Sequence, residues 1–528
     1  MGPWLVFDCA SALRINDSGL DKIEAIITTL VPLDPSDLFT LPQRVSGSNC
    51  FTFSIFGGCA AGINYADITQ VNFGSVGIAL DSRTNRVFGR VTINNLFVRV
   101  FVSGSGLVSD CNIDVTANAV YIDDFYTLGA HPTNIGSVDV NEELPANPIL
   151  TFVPSPPNVN ANCNGLLAFL IEGIIEGQVE PLLNSGLVDF LKDPDGTGPQ
   201  DAPIAGAVET ALSGLQISGP IGASLGVLLK TPIYDVFEDE VGITLDNDSS
   251  VTLDPNQPPP PAAAPDFAAS FHPLPGSFPS FGATTPVGGI PYDLAITLGT
   301  STFNQLLKAQ VELGLFNIEL TELDLLGGGP QPVDANLLSL LVPEILNVNP
   351  PDEPMTVRIV PISSPLITGD VGPKACSGGT QVGASCVTSA TCSGGGVCIN
   401  TLTELIVPQL AVSIIRNSDS VVQLTAVADV LLGFNAVSQG AAIGFQITSP
   451  GPGDIVVVLV DNPLGTSEPA LAAALPVLIG PLLPSLADSF GEIPLPTLFD
   501  LAITPVEISK MGSQPGDHIG IFVNLVTP

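Results

Sequence analysis

Pro255 and the run Pro258-Pro259-Pro260-Pro261, followed by Ala262-Ala263-Ala264-Pro265, can continue neither a helix nor a sheet. Such a run favours an extended polyproline conformation and reads as a linker. The chain it divides has 528 residues, longer than the roughly 250–300 at which one hydrophobic core stops growing. The expected organisation is an N-terminal domain over 1–245, a Pro-rich linker over 246–275, and a C-terminal domain over 276–528 that carries a Cys-rich insert at 372–400.

The two sides of the linker repeat one order of elements. Leu13 to Asp21 reads as a strand handing over to a short helix that carries Leu20, Ile23, Ile26, Ile27 and Leu30 and stops at Pro32. From about Tyr65 to Leu128 the pattern is β, with Val87 to Val102 alternating polar and apolar over much of its length, so one face is buried and one solvated. A second helix is expected at about 163–191, where Leu167, Leu170, Ile171, Ile174, Ile175, Val179, Leu182 and Leu183 make one apolar stripe with Glu172, Glu176 and Glu180 off it. Gly173, Gly177 and Pro181 weaken that helix in isolation, so packing inside a curled sheet must hold it. Beyond the linker come the strand Tyr292 to Leu298, a helix with Phe303, Leu306, Leu307 and Val311, strands to about residue 460, an apolar helix from about Glu468 to Phe490, and closing strands.

Hydrophobic residues make 45% of the chain and charged ones 12%, about half the roughly 25% charge of ordinary soluble domains. Much apolar surface must be hidden or face lipid. With 53 Gly and 49 Pro the composition suits turn-rich β structure, all-β or α+β, rather than a helix bundle. The balance of 14 Lys+Arg against 52 Asp+Glu gives a net charge of −38. No stretch gathers a basic stripe, which argues against nucleic acid as a partner and against capture of anionic headgroups by clustered cations.

Of nine cysteines, Cys376, Cys386, Cys392 and Cys398 lie together in a Gly/Ser/Thr-rich stretch. Their spacing suits disulfides better than zinc, whose sites usually contain close pairs. Disulfide frameworks persist outside the cytosol, so a secreted, extracellular or periplasmic protein is expected. The first residues, Met1 to Cys9, contain no basic leader and no apolar run of signal-peptide length. Asn16-Asp17-Ser18 and Asn247-Asp248-Ser249 fit the N-glycosylation pattern.

The second half resembles the C-terminal barrel of the bactericidal/permeability-increasing protein family of lipid-binding and lipid-transfer proteins. Four segments carry the resemblance: Tyr292 to Leu298 leading through Phe303-Asn304-Gln305-Leu306-Leu307 to Gly314-Leu315-Phe316; Met355 to Ile359 with Ser363-Ser364-Pro365; the proline-bearing Leu475 to Pro484; and Ile493-Pro494-Leu495-Pro496 with the closing strands to Leu525. In the first half, Leu13-Arg14-Ile15 through Gly19-Leu20-Asp21 resembles the family's opening strand and helix start. The resemblance implies an α+β boomerang of two barrels, each a twisted antiparallel sheet around a long helix, joined by a central sheet, with pockets for acyl chains. It implies lipids as partners, transient contact with membrane or lipoprotein surfaces, no cofactor and no enzymatic activity. The groove would be lined by Leu20, Ile23, Ile27, Leu170, Ile174 and Ile175 in the first half and by Phe303, Leu307, Leu478 and Leu482 in the second. Cys111 matches the strand partner of the family's usual disulfide, with Cys163, at a helix start, as its candidate mate. Two departures are plain: the basic residues used by endotoxin-binding members are scarce here, and the insert at 376–398 is foreign to the family pattern.

Other chemistry has thin support. Gly222-Ala223-Ser224-Leu225-Gly226 matches a hydrolase elbow, but His131, His272 and His518 stand in no recognisable catalytic context. Asp193 to Gly198 has oxygens for weak calcium binding and lacks the remaining ligands of a known loop, and Glu238-Asp239-Glu240 reads most simply as a solvated loop. No metal site is expected. Pro469 to Ala487 could span a bilayer by length, but Pro476, Pro481 and Pro484 would free backbone groups that lipid cannot satisfy. The rival reading from another class is a secreted structural or adhesive surface protein whose barrels hold up the disulfide insert.

Overall fold

The computed structural model describes residues 7–526 apart from 31–40, 47–48, 53–58, 107–108, 133–135, 143–148, 163–207, 210–211, 213–217, 222–226, 254–276, 315, 324–328, 348–349, 439–441, 480–491, 495–500 and 513–517. It is mostly sheet, with two curled antiparallel sheets, a third sheet shared between the halves, and few helices.

The first half opens with strand β1 (Phe7–Asn16), which passes directly into helix α1 (Asp17–Leu30), as the sequence pattern predicts. Strands β2 (Gln43–Ser46), β3 (Cys59–Asn72), β4 (Val76–Arg83), β5 (Arg86–Gly106) and β6 (Cys111–Ala130) follow and pair antiparallel, β5 between β3 and β6 with β4 also paired to β5. Alternation sets the faces: Val87, Val91, Val98, Val100 and Val102 of β5 and Ile113, Val115, Ile122 and Tyr126 of β6 are buried. The alternation slips at Asn95, whose φ of 55° is one that Asn tolerates better than a branched residue. Ile93 and Leu96, three apart, are therefore both buried, and across the ladder so are Ala117 and Val120.

Strands β7 (Val227–Lys230), β8 (Ile233–Asp239) and β9 (Gly242–Leu253) end the described part of this half. β9 runs to Leu253, so residues 246–253, assigned from sequence to the linker, are sheet; the proline run lies outside the described residues. Of Glu238-Asp239-Glu240, read as a solvated loop, Asp239 and Glu240 are exposed at the end of β8 and its turn, but Glu238 is buried and accepts a hydrogen bond from Leu128 N–H at 2.7 Å.

The second half repeats the opening: strand β10 (Leu294–Gly299) passes into helix α2 (Thr300–Glu312). Strands β11 (Met355–Pro361), β12 (Thr403–Arg416), β13 (Val421–Ser438), β14 (Ala442–Ile447) and β15 (Ile455–Asp461) build the second curled sheet, with β15 on the free flank of β13 beyond β14. Helix α3 (Glu468–Ile479) packs on β15, and strands β16 (Ala502–Met511) and β17 (His518–Val526) close the chain. The long helix expected at 163–191 and the second part of the one expected at 468–490 lie outside the described residues.

The shared sheet joins the halves. Its order is residues 218–221, β7, β9, β1, β10, β17, β16, with β8 also on β9. Two rows of its core face are wholly apolar and buried: Leu245, Leu13, Ile296 and Ile521, then Ile243, Ile15, Leu294 and Val523. At about 1.5–3 kcal/mol per fully buried aliphatic side chain, these rows alone make the two halves one cooperative object. Asn16 and Asn247, the two candidate glycan acceptors, are both buried in this sheet, so neither presents its amide for modification.

Candidate functional site

Five of the ten groove residues expected from sequence have described side chains, and all five are buried: Leu20 and Ile23 on α1, Phe303 and Leu307 on α2, and Leu478 on α3, each 0–2% exposed. They belong to one apolar core that runs continuously through both halves. The side chain of Ile27 and the whole of Leu170, Ile174, Ile175 and Leu482 lie outside the described residues.

On α2, Phe303 meets Phe434 and Phe445 edge-on at 5.9 and 5.7 Å between ring centroids, and those two rings stack at 5.1 Å. The helix is pinned beside them by a reciprocal amide contact: Asn304 Nδ2 donates to Ile367 O at 3.2 Å and Ile367 N–H donates to Asn304 Oδ1 at 2.6 Å. Thr302 Oγ1 also donates to Ala10 O at 2.8 Å, tying α2 to the strand that opens the first half. An acyl chain can lie here only where helix and sheet part.

One seam between helix and sheet lies at α1. Its partner is β4, which among the described residues pairs with β5 alone, and Ile26 of α1 and Val76 of β4 are partly exposed. Glu24 fastens the seam by accepting Leu80 N–H. Burial pushes the Glu24 carboxyl up to about 7, a rise offset by the Leu80 bond and reinforced by Asp21 and Asp81. Over its first two turns α1 is bolted to the second half: Ser18 Oγ donates to Asp293 Oδ1 at 2.7 Å, and Lys22 pairs with Asp293 and donates to Leu525 O.

Sequence reasoning missed the polar layer on the opposite face of the shared sheet. Arg14 is 1% exposed and holds Asp239 in a two-pronged contact of 2.9 and 2.6 Å, with further bonds to Asn16 Oδ1 and Thr244 Oγ1. Burial works against ionisation of Asp239, but Arg14 and the Val241 and Gly242 N–H groups outweigh it and hold the carboxyl below its ordinary range. Asp246 is the reverse case. It faces Asp235 directly across β8 and β9, and burial, aided by that neighbouring charge, pushes it up to about 7.

The outer face of the first sheet also holds more than the sequence announced. Arg44, Arg90 and Arg99 each stand directly opposite an aspartate on the adjacent strand, Asp67, Asp123 and Asp114, and pair with it. Each guanidinium also lies over an aromatic ring: Arg44 over Tyr65, Arg90 over Tyr121 and Phe88, Arg99 over Phe97. The cations of this face are thus neutralised one by one.

The insert forms two disulfides, Cys376 to Cys392 and Cys386 to Cys398. A short strand pair, Ala375–Ser377 with Val397–Ile399, closes it, and Ser449 N–H donating to Gly383 O at 3.2 Å seats it on the second sheet. Cys111 is disulfide-bonded, and Cys163 lies outside the described residues. Among the described residues no helix is long and apolar enough to cross a membrane.

No protein-family profile matches the chain, and no curated protein sequence matches it. Among solved structures it is similar to the crystal structure of lipopolysaccharide binding protein, with a TM-score of 0.48 and 13% identity over 99% of this chain and 100% of that one. It is also similar to P47 of Clostridium botulinum E1, at a TM-score of 0.27 and 8% identity over 99% and 100% of the two chains. P47 from Clostridium botulinum A2 matches at 0.29 and 9% identity over 98% of this chain and 97% of that one.

Proposed function

We propose that this protein binds lipids by their acyl chains, between its helices and the inner faces of its curled sheets, and carries them between surfaces without catalysing a reaction. The observation that supports this best is that α1 and α2 both lay apolar residues on a core that is continuous from one half to the other. The sequence resemblance to the lipid-transfer family and the boomerang of two helix-filled barrels it implies point the same way. The energy is adequate: at about 0.8 kcal/mol per buried methylene, a tail of roughly a dozen carbons gains on the order of 10 kcal/mol before ordering costs. With the arginines of the first sheet already paired, recognition is by the tails and by neutral groups, and contact with membranes or lipoprotein surfaces is transient. Two disulfides in the insert favour a site of action outside the cytosol.

Mass spectrometry of organic extracts from the natively purified protein tests the reading, with a stoichiometric lipid as the expected result. The closed packing of Leu20, Ile23, Phe303, Leu307 and Leu478 favours the rival, a structural surface protein displaying the disulfide insert. Extracts without lipid, together with no uptake from phosphatidylcholine vesicles, would replace lipid carriage by that rival.

A further inference from the structure

We propose that the contact between the shared sheet and the first turn of α2 is a recognition site for the carboxyl group of a long-chain fatty acid. The proposal deepens the lipid-binding reading and rests on it.

The core face of the shared sheet is apolar in the two rows already described, but the next row is broken at its centre. It runs Ile233, Asn247, Ser11, Leu298 and Ile519. Ser11 and Asn247 stand directly opposite each other, 1% and 2% exposed, and neither Ser11 Oγ nor Asn247 Oδ1 has a hydrogen-bond partner. Leaving a buried acceptor unsatisfied costs about 1–3 kcal/mol, so two such atoms side by side in an apolar row form a site that a polar group would complete.

The opening of α2 lies over this row. Thr302 Oγ1 bonds Ala10 O and lies 3.2 Å from Ser249 Oγ, both flanking the pair. Gly299, at the N-cap, offers no side chain to the first-turn N–H groups, and Thr300 and Thr302 beside it are buried. The positive end of the helix dipole thus faces a buried polar pair.

The ligand class follows from the inventory. A carboxylic acid brings an O–H for Asn247 Oδ1 and a carbonyl oxygen for the Ser11 hydroxyl. A phosphodiester headgroup would need a cation, and Arg14 faces the opposite side of β1, committed to Asp239. The tail can follow the adjoining apolar row of Leu245, Leu13 and Ile296.

The test compares palmitic acid with methyl palmitate on the delipidated full chain, by titration calorimetry at about pH 4, where the acid carries its O–H. Palmitic acid should bind about tenfold more tightly, the equivalent of one to two buried hydrogen bonds. In Ser11→Ala/Asn247→Leu that preference should vanish while methyl palmitate binds as before. Ser11→Ala alone, a smaller change, should reduce it severalfold, and its unliganded form should unfold at the same or higher denaturant, because an unpaired hydroxyl has gone. Equal affinity of the native chain for acid and ester, or a preference that survives both variants, overturns the carboxyl site and leaves lipid binding standing. Failure to bind either compound overturns both.

Discussion

Asp246 offers the sharpest test of the electrostatics of the shared sheet. Its carboxyl rises from an ordinary 3.8 to about 7 because burial and Asp235 oppose its charge. Below pH ~4 the side chain is protonated in both folded and unfolded chains and costs nothing. As pH climbs toward 7 the unfolded chain releases the proton while the folded one keeps it, so stability falls, and above about 7 the full penalty persists. At about 1.4 kcal/mol per pH unit the upper limit is on the order of 4 kcal/mol. Asp246→Asn removes the titration and keeps the shape. Urea unfolding followed by circular dichroism should show the variant more stable than the native protein by about 1 kcal/mol at pH 5 and by about 2–4 kcal/mol at pH 8. Glu24 and Glu238, whose carboxyls are also raised by burial, tilt both curves alike, so the difference between them isolates Asp246. A gap of the same size at pH 5 and pH 8 would refute the reasoning.

Asp239→Ala strands the buried Arg14 charge and should cost about 3–5 kcal/mol, read in the same unfolding experiment; a loss under about 1 kcal/mol would mean water reaches Arg14. Glu468 Oε1 accepts Leu459 N–H at 3.3 Å on β15, where Val456, Val458 and Val460 are 63, 56 and 65% exposed. Removing that carboxylate with Glu468→Ala should raise concentration-dependent self-association in light scattering, since an apolar strand with an unblocked edge is a pairing template. Replacing Cys376 and Cys392 by Ser should loosen the insert by about 3 kcal/mol, seen as faster proteolysis within 376–398 with the midpoint of global unfolding unchanged. Uptake of a neutral lipid should change by less than about twofold between low and physiological salt, and a steep loss would reveal cations that are not neutralised in pairs.

What could be read from sequence was local. The passage of β1 into α1, its echo in β10 and α2, and the inward valines of β5 follow from patterns within about twenty residues. The four cysteines of the insert could be read for the same reason. Glu238 misled because it sits beside two exposed carboxylates, Asp239 and Glu240, and the partner that explains its burial, Leu128, is remote in the chain. Arg44, Arg90 and Arg99 look unpaired along the chain and meet their aspartates only through strand register. The same holds for Ser11 and Asn247: each is an unremarked polar residue in an apolar strand, and only their pairing in the ladder makes them a site.

The shared sheet also has a temporal meaning. β1 is made long before one of its neighbours, β10, which begins at Leu294, and before the strand beyond that, β17, which ends at Val526. Synthesis proceeds at about 5–20 residues per second, so β1 waits many seconds for its second partner and the sheet stays incomplete until β17 has been made. A chain that must hold an unpaired apolar ribbon for so long needs something to shield it, and its yield in a foreign host should depend on chaperone supply more than on the final stability of the fold.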